Sequence, residues 1–171
     1  PQSSFERPVT ARGGPGGKTM ALEVTSNSFT DGGAIPRQYT CDGEDRSPHV
    51  AWSGSPEGTQ GYALIVHDPD APSGDFTHWV VFDIPAGVKE FPDGAAPIQT
   101  SQEGKNSFGT VGYRGPCPPP GHGPHHYIFE VYALDTHYTG LGEGASREEV
   151  ERRIEPHTLA RGRITGLYER K

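Results

Sequence analysis

The chain has 171 residues and a mass of 18.4 kDa, the size of one ordinary domain, and its 32% hydrophobic content and mean hydropathy of −0.66 argue against two full cores. Its 24 glycines and 17 prolines exclude a helical bundle, because these residues cost about 1 and 3 kcal/mol inside a helix. The net charge of −7, without a basic stripe, argues against nucleic acid as a partner, and no apolar run approaches the roughly 20 residues of a membrane-spanning helix.

Residues 1–19 read as a flexible tail, rich in glycine and carrying Arg7, Arg12 and Lys18 against one acid, Glu6. The single domain then runs over 20–171. Leu22 to Ser28 is the first expected strand, and Val50 and Trp52 alternate in a short second one. Tyr62 to Val66 is a continuous apolar run between Gly61 and Asp68-Pro69, as expected of a strand buried on both faces. Trp79 to Ile84 is a further strand, stopped by Pro85. Tyr127 to Leu134 is the longest, rich in aromatic and branched residues. Ser146-Arg-Glu-Glu149 is a capping box that predicts a helix, with Val150 and Ile154 on one face and Pro156 at its end. Ile164 to Tyr168 alternates as the last strand. The expected fold is all-β: an antiparallel Greek-key sandwich with one or two short helices.

Three polar clusters fall at strand ends, where a rigid scaffold holds side chains still. They are His67-Asp-Pro-Asp-Ala-Pro-Ser73, His78-Trp79, and the segment from Gly115 through Gly121, His122 and His125 to Tyr127. Strand alternation puts His125, Tyr127 and Phe129 on one face and His126, Ile128 and Glu130 on the other. Residue types alone also fit a plain reading, with Asx turns at Asp68 and Asp70 and structural histidines. A zinc site from His122, His125 and His126 lacks a paired second motif. Ser-His-Asp hydrolysis lacks its nucleophile elbow, and phosphate-loop binding lacks its Gly-rich motif. A Cys117 nucleophile beside His125 competes with a buried structural thiol.

Together, Asp68-Pro-Asp-Ala-Pro72, His78 before Trp79, and Gly-His-Gly-Pro-His-His-Tyr at 121–127 resemble the phosphatidylethanolamine-binding proteins. Ile35-Pro-Arg-Gln-Tyr-Thr-Cys-Asp-Gly43 and the stretch from His157 to Tyr168 resemble their bacterial and archaeal branch, called Raf kinase inhibitor-like. The resemblance spans about Leu22 to Tyr168. It implies a β-sandwich with a small anion pocket formed by Asp68, Asp70, His78, His125 and Tyr127, with Pro72 and Pro119 in its wall. It implies no cofactor and no metal. The ligand would be a phosphate-bearing small molecule or a phospholipid head group, and a kinase or protease is the protein partner the family offers. His126 stands where animal relatives have Arg. The chain also lacks their C-terminal helical extension, which implies a more open pocket mouth.

The functional expectation is a non-enzymatic binding or regulatory protein. The competing reading is a hydrolase using Asp70, His78 and His125 as acid-base groups. Asp68 or Asp70 would accept from an ethanolamine ammonium, and the imidazoles and the Tyr127 hydroxyl would donate to its phosphate. Ala71-Pro72 is expected to be cis, as a sharp turn would favour. Cys41 and Cys117 are expected as free thiols and the protein as cytoplasmic, where thiols stay reduced.

Overall fold

The computed structural model describes residues 20–171, so the expected N-terminal tail lies outside the described residues. Among the described residues nine strands form: β1 (Met20–Ala21), β2 (Glu23–Thr25), β3 (Val50–Ser53), β4 (Gly61–Asp68), β5 (Phe76–Pro85), β6 (Glu90–Phe91), β7 (Gln102–Glu103), β8 (His125–Leu134) and β9 (Thr158–Tyr168). An α-helix, α1 (Arg147–Ile154), lies between β8 and β9. A six-stranded sheet has the order β1-β9-β8-β4-β5-β7, and a three-stranded sheet the order β2-β3-β6. The chain leaves the β4–β5 hairpin, builds β6 and β7, and returns to lay β8 beside β4. The pairs are antiparallel except for β1 on β9.

The large sheet is covered on both faces. Tyr62, Leu64 and Val66 of β4 join Trp79, Val81, Phe129 and Val131 in a core closed by Val24, Val50, Trp52 and Phe91 of the small sheet. Ala63 and Ile65 point the other way, with Val80, Phe82 and Leu134, and are capped by Val150 and Ile154 of α1. All eight residues of β4 are buried, which is why its sequence shows no alternation. The capping box forms as expected. Ser146 Oγ accepts from Glu149 N–H, and the Glu149 carboxylate accepts from Ser146 N–H. Pro156 lies just beyond, in a 3-10 turn over Glu155–His157.

Three expectations are corrected. The strand expected from Leu22 to Ser28 is only the three residues of β2, and β1 precedes it in the other sheet: Leu22 is the crossing point between the sheets, and its carbonyl passes so close to Gly162 that a Cβ there would lie 2.1 Å from it. The cis peptide bond is Ala96–Pro97 and not Ala71–Pro72. The reversal after β4 is made instead by an Asx turn, Asp70 N–H to Asp68 Oδ1 at 2.8 Å, and a turn closed by Gly74 N–H on Ala71 O with Gly74 at φ 111°. Cys41 and Cys117 form a disulfide with Cα atoms 5.4 Å apart. The thiol expectation rested on compartment, whereas the pairing follows from geometry. Tyr113 Oη donates to Tyr39 O, Gly115 N–H to Asp45 Oδ1 and Cys41 N–H to Pro116 O, which zip the two loops together.

These contacts set a stability contrast. Ile154→Ala opens a cavity between α1 and the sheet and should lower unfolding free energy by about 2–5 kcal/mol. Ser146→Ala removes one cap at the helix start and should cost about 1 kcal/mol. Urea unfolding with an unchanged denaturant slope checks both. Equal losses would mean that α1 is held by its caps and not by its packing.

Candidate functional site

The polar ends of β4, β5 and β8 meet at one end of the sandwich around a cavity of about 200 Å³. Asp68, His78, Tyr127 and Ser73 supply its ionisable and hydroxyl groups. Ala71, Pro72, Phe76, Phe108, Cys117, Pro118 and Pro119 supply the rest of the wall. A wider groove of about 620 Å³ runs along α1, but it is lined by acids and bases together, including Glu148, Glu151, Arg152 and Arg161. The smaller cavity concentrates unlike polar groups within an apolar wall, the usual form of a ligand site.

Each polar group arrives by its own local device. Asp68 ends β4 on the face shared by Leu64 and Val66, and it is 3% exposed. Its Oδ1 turns the chain through Asp70 N–H, and its Oδ2 accepts from His125 Nδ1–H at 2.7 Å. Tyr127 reaches the cavity from β8 by simple alternation. Burial, followed by the Asp68 charge, raises the Tyr127 pKa far above its ordinary value, so the side chain stays a neutral hydroxyl donor. His78 is delivered by a β-bulge. Val66 pairs with Trp79 and His67 with Thr77, leaving His78 as the extra residue on β5. The bulge lets His78 and Trp79 both face inward, with the His78 ring 5.3 Å from that of Tyr127. His78 Nδ1 lies 2.6 Å from Arg114 O. A carbonyl only accepts, so Nδ1 carries the proton and Nε2 is left for a ligand. Burial lowers the His78 pKa, so the free site favours the neutral ring.

The remaining expected residues sit around this centre. Pro72 and Pro119 line the cavity. His125 is 2% exposed and stands behind Asp68, with Nδ1 on the carboxylate and Nε2 2.7 Å from His122 Nδ1. It positions Asp68 and does not itself line the cavity. Asp70 is turned outward. Its Oδ2 accepts from the N–H of His126 at 2.8 Å and faces His126 Nδ1 at 2.7 Å, bonds that lower its pKa. Placing Asp70 in the pocket is therefore corrected: the Asx turn that fixes Asp68 rotates Asp70 to the exposed face of β8. The three groups of the hydrolase reading are accordingly split between cavity wall, inner support and outer surface. Among the described residues, no cluster of three or more His, Cys, Asp or Glu side chains is arranged to hold a metal ion.

A second buried network lies back to back with the first and was missed from sequence. His67, adjacent to Asp68 but on the α1 face, has Nδ1 2.8 Å from Asp75 Oδ1 and Nε2 3.2 Å from Glu130 Oε1. Both partners are acceptors, so both nitrogens are satisfied only in the imidazolium form. Burial works against that charge, but the hydrogen bonds to Glu130 and Asp75 outweigh it and the pKa is raised. His67, with help from Arg161, holds the Glu130 carboxyl down to about 2. Arg147 of α1 also pairs with Asp75 at 3.2 Å. The 68–76 loop is thus tied at both ends, to His125 through Asp68 and to α1 through Asp75. The available signal was a His and a Glu inside two otherwise apolar runs.

The linkage has a definite sign. A raised His67 pKa stabilises the fold fully below its unfolded value near 6.5, and that contribution is lost as pH rises through the folded pKa. A lowered Glu130 pKa stabilises above about 4.5 and is lost as pH falls toward 2. Wild type should therefore exceed His67→Gln most between about pH 4.5 and 6.5, with the difference shrinking at higher pH. Chemical unfolding of both proteins across pH 5–9 reads this. A pH-independent difference would mean that His67 folds as the neutral ring.

Comparison with known proteins places the chain in a family. The sequence profile of the phosphatidylethanolamine-binding proteins matches residues 25–169. A protein of the bacterium Aquifex aeolicus, named UPF0098 protein, is 51% identical over 87% of this chain and 89% of its own length. UPF0098 protein PH1269 of the archaeon Pyrococcus horikoshii is 47% identical over 92% and 81%. The crystal structure of Escherichia coli YbcL, described as a member of the mammalian PEBP family, superposes with a TM-score of 0.82 at 36% identity, covering 88% of this chain and 99% of that one. Among the described residues, no helix is long and apolar enough to cross a membrane. With its mostly antiparallel sandwich and these sequence and structure matches, the chain belongs to the phosphatidylethanolamine-binding protein family, in its bacterial and archaeal branch.

Proposed function

We propose that the protein is a non-enzymatic binding or regulatory protein that takes a small phosphate-bearing ligand, with a zwitterionic phospholipid head group the best fit. The observation that carries this is the convergence of Asp68, the Tyr127 hydroxyl and the free Nε2 edge of His78 on one cavity with an apolar wall. The Tyr127 hydroxyl and a protonated His78 Nε2–H donate to the phosphate, and Asp68 accepts from the ammonium. Asp70, facing His126, leaves that acceptor role to Asp68. The separation of Asp70 from His78 and His125 supports binding over hydrolysis, since the three groups of the hydrolase reading do not share one cavity. Any kinase or protease partner would be met through the same mouth or its Pro-rich rim. The Cys41–Cys117 bridge supports an oxidising compartment over the expected cytoplasm.

Binding should carry a proton. The buried His78 is mostly neutral when free, because its pKa is lowered, and a bound phosphate favours its cation. Affinity for glycerophosphoethanolamine, a diester with no phosphate ionisation near neutrality, should rise as pH falls from about 8. It should keep rising below about 6.5, the ordinary histidine value. Tyr127→Phe should weaken binding by about ten- to hundredfold, the worth of one hydrogen bond to a charged group. His78→Gln should flatten the pH dependence. Titration calorimetry across pH 5–8, together with a phosphodiester and ester turnover panel, is the test. Flat affinity, no binding, or turnover lost in His78→Gln would each overturn the reading.

A further inference from the structure

We propose that the opposite end of the sandwich carries a second binding site, for a neutral saccharide. The site is independent of the head-group cavity. It lies at the far end of β5, about 20 Å away along the strand from Phe76 to Asp83.

Three observations meet there. Tyr138 is 72% exposed, far beyond the other exposed large hydrophobic side chains, and it stacks on His137 with ring centroids 4.1 Å apart and planes 27° apart. A cavity of about 230 Å³ adjoins the two rings, and its other lining residues are Asp83, Gln99, Thr100, Ser101 and Gln102. Asp83 holds a left-handed φ of 56°, which L-residues avoid unless their surroundings impose it.

The aromatic platform is rigid. Gly61 opens β4, and a Cβ on it would lie 3.0 Å from both the His137 Cα and the Thr136 carbonyl. The loop backbone therefore rests directly on the sheet. Asp83 Oδ1 accepts from Thr139 N–H at 2.9 Å, and the Arg153 guanidinium of α1 donates to Thr139 O. Tyr138 is thus held out to solvent by a loop fixed on both sides. Keeping a large ring exposed forfeits the burial that would stabilise it.

The lining selects the ligand chemistry. It contains no aliphatic side chain, so an apolar molecule gains little. It contains no Lys or Arg, and its one carboxylate repels anions. That carboxylate already accepts from Thr139 N–H, which weakens its hold on a cation. What remains is two amides, two aliphatic hydroxyls and one carboxylate beside the exposed Tyr138 phenol and the His137 imidazole stacked on it. An uncharged molecule with many hydroxyls and one C–H face fits that set: the C–H face lies on Tyr138 and the hydroxyls meet Gln99, Gln102, Thr100 and Ser101. β7, which carries Gln102, is the edge strand of the large sheet, and Gln102 is half-buried there.

Saturation-transfer NMR with xylotriose, cellotriose and maltotriose, each at about 10 mM, tests this against the millimolar affinities of weak sites. At least one should show contact. Tyr138→Ala should weaken it by about tenfold or more, while Tyr138→Phe, which keeps the ring, should hold affinity within about threefold. Gln102→Ala should weaken binding, and His78→Gln should leave it unchanged. Tyr138 is exposed, so its variants do not threaten the fold. Contact with none of the three sugars, or contact unmoved by Tyr138→Ala, would overturn the proposal.

Discussion

The Asp68 carboxylate is the group on which the described end of the sandwich depends. A buried carboxylate is tolerated only where donors surround it, since its desolvation cost is otherwise prohibitive. Asp68 collects the N–H of Asp70, the Nδ1–H of His125 and the field of the Tyr127 hydroxyl. The same bonds shape the site. The first turns the chain out of β4, the second locks the start of β8, and the cavity is the space left between them. Removing the carboxylate would orphan a buried imidazole and release the turn together, so one substitution would remove its structural role and its proposed binding role at once.

Much of this was legible from the residues. The unbroken run from Tyr62 to Val66 announced double burial, the Ser146 box announced α1, and alternation placed Tyr127 inward and His126 outward. Periodicity alone could not show what depends on an insertion or on a distant partner. His78 reaches the cavity as the resemblance implies, yet by strict alternation it would share the face of Val80 against α1, and only the bulge at His78–Trp79 turns it inward. Asp70 shares a motif with Asp68, yet one hydrogen bond in the turn sends the two carboxylates to opposite sides of β8. β6 and β7 have two residues each, too short to show any period. The disulfide was a question of which loops touch, and composition does not encode that.

The two buried polar networks share β4 as a partition. His67 and Asp68 are neighbours in sequence and, by the strand's own alternation, face opposite layers. Each binds one end of the 68–76 loop whose middle, Ala71 to Ser73, walls the cavity. The loop owes its order to charged hydrogen bonds and not to apolar packing, because its sequence offers almost nothing to bury. This explains how a chain with so lean a core keeps a pocket wall fixed. It also ties the Asp75 end of that loop to His67 and to Arg147 of α1.

The same economy bears on selectivity. A protein of net charge −7 holds an anion only if something local offsets the long-range field. Among the cavity's lining residues there is no Lys or Arg. The donors are the Ser73 hydroxyl, a Tyr127 hydroxyl kept neutral by burial and an imidazole whose charge burial opposes. None imposes a fixed positive charge, and Asp68 adds a negative one. A bare anion must therefore bring a proton to His78 and still lie beside a carboxylate. A zwitterion supplies its own cation to that carboxylate and places its phosphate on the donors opposite. On the proposed reading, selectivity for head groups over free phosphate comes from the acidity of the pocket, not from any fixed basic group within it.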